Sequence, residues 1–275
     1  MSAQASVAGR DTSRPLPFAA AARGVFDLTL EGMLWSRRSA LMAVLLGLPV
    51  VLSLLYRVSL HARMPRLTGY DLYGVLVAIY YVRNVVPLAA LFYATSLIAD
   101  EVEGKTLTYL LTRPVRRSSI LAGKLAAYLA TTLSLTLPAV VASFFVLTTA
   151  EGSAGVGARV PDLLRDLGTI ALALVVYGAL FTLLGVLLRR PMIPGLLFLF
   201  VWELAAHLPG NMPRLTITAY LRSLVSHRPA QEGLAALFER TLPAGESILT
   251  LVALSLALLA AAVAVFSSRE YVMEQ

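Results

Sequence analysis

Cysteine is missing from this sequence, and charged residues are scarce. The 275 residues include no Cys, and only 14% of them are charged, whereas soluble domains carry about 25%. The missing thiols exclude disulfide bonds, thiolate metal sites and a thiol nucleophile. So few charges leave too little polar surface to cover a globule in water. With 58% hydrophobic residues and a mean hydropathy of +0.76, the composition predicts a polytopic membrane protein.

Six apolar segments define the predicted fold, an all-α membrane protein with six transmembrane helices. A helix that crosses a hydrocarbon core about 30 Å thick needs about 20 mostly apolar residues. The predicted spans cover residues 39–60, 72–99, 121–149, 166–188, 191–208 and 247–268. The fifth is the shortest, and all six lack the alternating pattern of barrel strands.

The positions of the basic residues predict the orientation of this bundle. Residues 1–22 have no apolar signal-peptide core and are interpreted as a disordered cytoplasmic leader, followed by a membrane domain over 23–275. Lys and Arg cluster before the first span, after the second and after the fourth, which places these segments on the cytoplasmic side. Both termini are then cytoplasmic, in a cell inner membrane. Topology accounts for the net charge of +7, and we expect no nucleic-acid partner.

A segment ahead of the first span has an amphipathic pattern. Asp27 and Glu31 lie on one face of this segment, while apolar residues fall roughly at helical spacing on another: Val25, Phe26, Leu30, Met33 and Leu34. This pattern predicts an interfacial helix that lies in the headgroup plane before the chain enters the bilayer. An early start of the first span is the alternative.

The loop before the last span, residues 209–246, contains a second amphipathic pattern. Ile217, Tyr220, Leu221, Leu224 and Val225 follow the spacing of one helix face. We expect a short helix on the outer side of the membrane. It either caps the outer mouth of a pathway or only packs at the interface.

The loop after the second span predicts a short cytoplasmic helix with an apolar stripe. Acidic residues stand at its N-terminal end, where the helix dipole favours them, and a proline ends it. The stripe has no lipid to contact at this distance from the membrane, so it is predicted to bind a soluble partner. The residues assigned to this coupling role are Glu101, Glu103, Gly104, Thr106, Leu107, Leu110, Leu111, Arg113 and Pro114.

At this loop the sequence resembles the permease subunits of ABC-2 type transporters. That family commonly has acidic residues at the end of the second span, then Gly/Thr-Leu, two leucines, Pro-Val, a basic residue and Gly-Lys. The matching positions are Glu101, Glu103, Gly104, Thr106, Leu107, Leu110, Leu111, Pro114, Val115, Arg117, Gly123 and Lys124. One departure is Lys105, which separates Gly104 from Thr106, where the family often has glycine and threonine adjacent.

The resemblance implies an exporter whose energy source is a separate protein. Two permease copies, or this chain and a paralogue, would form the pathway between them, and each short cytoplasmic helix would dock into one of two ATPase subunits. The sequence has no Gly-x-x-x-x-Gly-Lys-[Ser/Thr] phosphate-binding loop. We therefore expect a permease that is not itself an enzyme and needs no cofactor.

Two charged residues within the predicted spans require an explanation. At about 1.5 Å per residue, Arg83 and Glu203 both fall in the outer half of the bilayer. Because intramembrane charges usually face a partner or a cavity, they could pair with each other or line the outer part of the pathway. In the alternative, Arg83 reaches the outer headgroups and Glu203 hydrogen-bonds a neighbouring helix.

Other functional classes fit the sequence less well. A serine-type intramembrane hydrolase needs a buried Ser and His at one depth, and the three histidines, His61, His207 and His227, offer no such pair. No zinc-hydrolase motif is present, so we assign no catalytic or metal residues. A secondary transporter would favour an internal repeat, which the two halves do not show. That class and a non-transporting membrane scaffold are kept as alternatives.

Overall fold

The computed structural model describes residues 17–59, 68–103, 117–150, 155–203, 212–226 and 242–268, and every regular element in these ranges is helical. The elements are α1 (Phe18–Leu34), α2 (Arg37–Ser59), α3 (Gly69–Val75, then π-helical Leu76–Val85, then Val86–Glu103), α4 (Arg117–Thr148), α5 (Val156–Leu187), α6 (Met192–Leu197, then π-helical Phe198–Trp202), a 3-10 turn (Met212–Leu215), α7 (Ile217–Leu224) and α8 (Ala244–Ser268).

Five helices among the described residues are long and apolar enough to cross a membrane. They are Arg37–Ser59, Gly69–Leu97, Arg117–Thr148, Val156–Leu187 and Ala244–Ser268, which agree with five of the predicted spans. The remaining predicted span, residues 191–208, coincides with α6, which has 6 α-helical residues followed by 5 π-helical ones. That is about 16 Å of helix, roughly half of the hydrocarbon core. Residues 204–211 lie outside the described ranges.

The segment ahead of the first span is a separate helix. α1 ends at Leu34 and α2 begins at Arg37, so an early start of the first span is wrong. α1 already begins at Phe18, inside the range interpreted as a leader, while residues 1–16 are outside the described part. Trp35, at the turn between the two helices, is 89% exposed, as expected for an aromatic residue that anchors in the headgroup region.

Proline in α2 explains one of the contacts between α2 and α3. Pro49 has no N–H, so the carbonyl of Leu45 loses its usual partner within the helix. The Tyr80 hydroxyl donates to that carbonyl at 2.6 Å, and the hydroxyl of Tyr81 donates to Leu46 O at 2.9 Å. These two tyrosines of α3 therefore satisfy backbone oxygens that lipid could not.

α3 and α5 form the centre of the bundle. They are the most buried of the spans, whereas α8 and α2 are the most exposed. Gly185 of α5 allows the close approach of α3, because a Cβ at this position would lie 3.0 Å from Thr95 O. The outward faces of α2 and α8 are apolar, with Val44 72% and Leu249 73% exposed, so these surfaces suit lipid or a second chain.

Candidate functional site

The predicted coupling segment begins at the end of α3. This helix continues through Glu103, so Glu101 and Glu103 lie in its last turn, beyond residue 99 where the span was predicted to end. The other predicted coupling residues are outside the described ranges. They are Gly104, Thr106, Leu107, Leu110, Leu111, Arg113 and Pro114, and their docking role stays a prediction.

Gly123 and Lys124 hold together the helices on either side of that segment. A Cβ at Gly123 would collide with Ala22 O of α1 and would lie 3.0 Å from Val25 Cβ, so only glycine permits this α1–α4 contact. Lys124 is 4% exposed, and its Nζ donates to the carbonyl of Leu97 in α3. The Gly-Lys pair thus fixes α1, α3 and α4 relative to one another, and Lys124 is a buried helix residue rather than a loop charge.

On the opposite end of the bundle, Arg83 and Glu203 line one cleft. Its volume is about 160 Å³, and its walls are Arg83, Asn84, Pro87, Leu88, Leu199, Phe200, Glu203 and Thr218. The two residues therefore lie at the same cleft, while their pairing and their place in a pathway stay predictions. Arg83 is exposed, whereas Glu203 is 7% exposed.

Glu203 caps α7 from another helix. Its carboxylate accepts hydrogen bonds from the backbone N–H groups of Ile217, at 3.3 Å, and Thr218, at 3.0 Å. Thr216, the residue at the N-cap position, makes no side-chain cap of its own. Because the first N–H groups of a helix lack internal partners and its N-terminus is partly positive, a carboxylate is favourable there. This geometry is the predicted alternative in which Glu203 hydrogen-bonds a neighbouring helix.

The C-terminal end of α7 is held by two charged residues of α5. Arg165 Nε donates to Leu224 O at 2.7 Å, and Ser226 N donates to Asp166 Oδ1 at 3.2 Å. A cation at the last carbonyls complements the helix dipole in the same way as the carboxylate at the other end. Sequence reasoning missed both roles, although Arg165 and Asp166 stand at the outer end of the predicted fourth span, where charged residues were a usable signal.

The predicted apolar stripe of α7 packs into the protein. Ile217, Leu221, Leu224 and Val225 are each no more than 5% exposed. On the polar side, Thr218 Oγ1 lies 3.1 Å from the Tyr177 hydroxyl of α5, and the Ser223 hydroxyl donates to Ser247 Oγ of α8 at 2.7 Å. The predicted helix is confirmed, and α7 is fastened to α5, α6 and α8 at the same time.

Both helices that wall the outer cleft are π-helical there. Arg83 and Asn84 lie in Leu76–Val85, and Leu199 and Phe200 lie in Phe198–Trp202. The Asn84 side chain donates to Ile79 O at 2.6 Å, and Pro87, one turn after Arg83, has no N–H to continue regular bonding. π-helical turns are frequent at functional sites, so this cleft is the strongest candidate for a pathway element.

Comparison with known proteins agrees with this architecture. Residues 71–271 match the family described as ABC-2 family transporter protein. This chain belongs to that family. It is a multi-pass membrane permease of an ABC-type transporter, and the matched range includes the predicted coupling segment, the outer cleft and α7. No curated protein matches the chain.

Proposed function

We propose that this ABC-2 permease is the membrane half of an exporter in a cell inner membrane. Two copies, or this chain and a paralogue, form the pathway, and two separate ATPase subunits supply the energy. The family match across residues 71–271 is the observation that carries the proposal. The basic clusters at the α2, α3–α4 and α5–α6 ends support cytoplasmic termini.

The coupling route runs from the cytoplasmic loop into the bundle. Residues 104–116 connect α3 with α4, and the Lys124–Leu97 bond links the two helices about one to two turns inside their ends. Any displacement of the loop by an ATPase is therefore transmitted to both helices together. α3 continues to Arg83 at the outer cleft, so one helix joins the coupling end to the outer end.

At the outer end, α7 closes the proposed pathway. Its buried stripe and its bonds to Glu203 and Arg165 support a closed position. These bonds connect α7 with α5 and with the end of α6. In this proposal the distance between α5 and α6 changes when the bundle changes shape. Arg83 and Glu203 are pathway residues in this proposal: Arg83 lines the cleft, and Glu203 holds α7 in place.

The coupling proposal is tested by Leu110→Asp in the full chain co-expressed with its ATPase. A charge in the apolar stripe should abolish co-purification of the ATPase while the permease still inserts in the membrane, because burying an unpaired carboxylate at the interface is costly. Thr112→Asp is the matched control, because Thr112 lies on the opposite side of the predicted helix.

Two results would overturn the coupling assignment. One is normal ATPase co-purification with Leu110→Asp, and the other is equal loss with Thr112→Asp. Transport that continues without any ATPase would favour the secondary transporter, and absence of transport with a bound ATPase would favour the scaffold.

A further inference from the structure

We propose that Tyr93 of α3 is a positioning residue that makes the interfacial helix α1 move together with α3 during coupling. Its hydroxyl bonds to the elbow between α1 and α2, which comprises residues 33–39. The inference rests on the proposed ATPase coupling and adds a link that lies outside the predicted coupling segment. Without such a link, the break between α1 and α2 would act as a hinge.

Hydrogen bonds at the elbow form a directed chain through three helices. The Tyr93 hydroxyl donates to Ser39 Oγ of α2 at 2.7 Å, and Ser39 Oγ donates to the carbonyl of Met33, near the end of α1. The Ser36 hydroxyl donates to the same carbonyl at 2.9 Å. Ser36 Oγ also accepts from Ser39 N at 3.1 Å, as the side chain of a helix N-cap does. Through one hydroxyl, α3 therefore holds the end of α1 and the first turn of α2.

The chain of hydroxyl groups is shielded from solvent. Ser39 and Tyr93 are both buried, so a water molecule cannot easily take the place of the tyrosine hydroxyl. Linked hydrogen bonds strengthen one another in such surroundings, and an unpaired polar group there is costly. Removal of the Tyr93 hydroxyl should therefore loosen the elbow.

Packing by itself does not fix the C-terminal half of α1. The buried residue of this helix, Ala21, and the close contact of Ala22 O with Gly123 of α4 both lie in its N-terminal half. Beside the C-terminal half, a cleft of about 400 Å³ separates α1 from α3 and α4, and its lining includes Leu28 and Met33. This half has space to shift into, so its position depends on the bonds at the elbow.

Tyr93 is well placed to transmit a displacement of the coupling segment. It lies ten residues before Glu103, the last residue of α3, which is about 15 Å along the helix axis. One turn closer to that end, Leu97 O accepts the bond from Lys124 of α4. Two successive turns of α3 thus hold the elbow and α4, and a shift of α3 carries both neighbours with it.

Hydrogen exchange of the purified full chain, measured by mass spectrometry, tests the link without any ATPase. Tyr93→Phe keeps the buried ring and removes the donor, so we expect the amides of residues 33–40 to exchange about threefold to tenfold faster. Tyr80→Phe is the matched control, because it removes another hydroxyl bond from α3 to α2, to Leu45 O at 2.6 Å. It should leave exchange at residues 33–40 within about twofold of the unsubstituted chain.

Ser39→Ala removes the acceptor of the same bond and serves as a second variant should Tyr93→Phe fold poorly. Because both substitutions remove one shared bond, the double variant should exchange at the elbow within about twofold of Ser39→Ala alone. Effects that multiply fully in the double variant would show that the two hydroxyl groups act separately.

A second measurement tests whether the link takes part in coupling. In the complex with the ATPase, Leu221→Cys of α7 reports the outer end through its rate of maleimide labelling, since Leu221 is buried and the chain has no other cysteine. Trapping the nucleotide with vanadate should change this rate. Tyr93→Phe should reduce that change about threefold, with ATPase binding and the rate without nucleotide unaltered. A merely structural role would alter the rate without nucleotide instead, and Tyr80→Phe should preserve the response.

Three results would overturn the proposal. They are unchanged exchange at the elbow in Tyr93→Phe, equal acceleration there by Tyr80→Phe, and a full nucleotide response at Leu221→Cys in spite of Tyr93→Phe. An unsubstituted chain without any nucleotide response would overturn the proposed ATPase coupling, and with it the part of Tyr93 in coupling. The exchange measurement would still decide whether Tyr93 holds the elbow.

Discussion

At the scale of single residues, Gly123 and Lys124 have different roles although they are neighbours. Gly123 lets the backbone of α1 contact α4, and Lys124 ties α4 to a carbonyl of α3. Buried lysines are rarely tolerated without a partner, and the Leu97 carbonyl provides one. The family pattern Gly-Lys is thus explained by packing and hydrogen bonding at the start of α4.

Gly123→Ala is expected to destabilise the protein by about 1–3 kcal/mol, because the new Cβ meets backbone atoms that cannot move aside individually. Gly24→Ala on α1 is the control, since nothing lies within 4 Å of a Cβ there. That substitution should stabilise the helix by about 0.5–1 kcal/mol. Unfolding in detergent measures both, and the same sign for both changes would contradict the close α1–α4 contact.

At the scale of the element, α7 is a short helix whose two ends are each held by another helix. An isolated helix of this length would not form in water, and its own N-cap residue supplies no side-chain bond. Glu203 at the N-terminus and Arg165 at the C-terminus provide these bonds. Contacts with neighbouring helices therefore stabilise α7, and substitution of either Glu203 or Arg165 should weaken its attachment.

We expect Glu203→Gln and Arg165→Gln each to increase the opening of α7 about fivefold to thirtyfold, since each weakens a charge-assisted bond worth roughly 1–2 kcal/mol. Leu221→Cys reports opening through its rate of maleimide labelling, because Leu221 is fully buried and the chain has no other cysteine. If α7 opens as one unit, the free-energy effects add in the double variant.

The control for this measurement is Glu246→Gln in the Leu221→Cys background. Glu246 is an exposed carboxylate in the first turn of α8, so its neutralisation should leave the labelling rate unchanged. A double variant that labels no faster than the faster single variant would instead indicate that α7 frays from one end.

At the scale of the whole molecule, apolar surface remains uncovered on several faces. Val44 of α2 is 72% exposed, and Phe200 of α6 is 65% exposed. Only the α6 face adjoins the cleft that contains Arg83 and Glu203. If the pathway lies between two copies, this face must be directed towards the partner, and the α2 face towards lipid.

Single cysteines at these two positions test the arrangement in membranes. With Phe200→Cys, mild oxidation should produce a cross-linked dimer, because a two-fold interface brings the same patch of both copies together. Val44→Cys, equally exposed and equally apolar, should remain monomeric on a denaturing gel. Cross-linking at Val44 alone would place the partner on α2 and exclude a pathway along the Arg83–Glu203 cleft.

Hydropathy and charge by themselves determined the class of this protein. The free energy of burying apolar side chains in lipid is nearly a sum of contributions from neighbouring residues in the sequence. The five long spans, the separate α1 and the amphipathic α7 could therefore all be predicted. Counting residues along the spans also placed Arg83 and Glu203 at a similar height, and both line one cleft. The contacts between helices could not be predicted in this way, because they depend on the orientation of each helix about its own axis in the packed bundle.

Only the tertiary structure paired the polar groups. Glu203 bonds to an amide 15 residues away and Arg165 to a carbonyl 59 residues away, and Tyr80 satisfies the carbonyl that Pro49 leaves without a partner. In lipid each such group must find a partner within the protein. The sequence shows which polar groups need a hydrogen-bond partner. Which partner each group finds depends on how the helices are arranged in space.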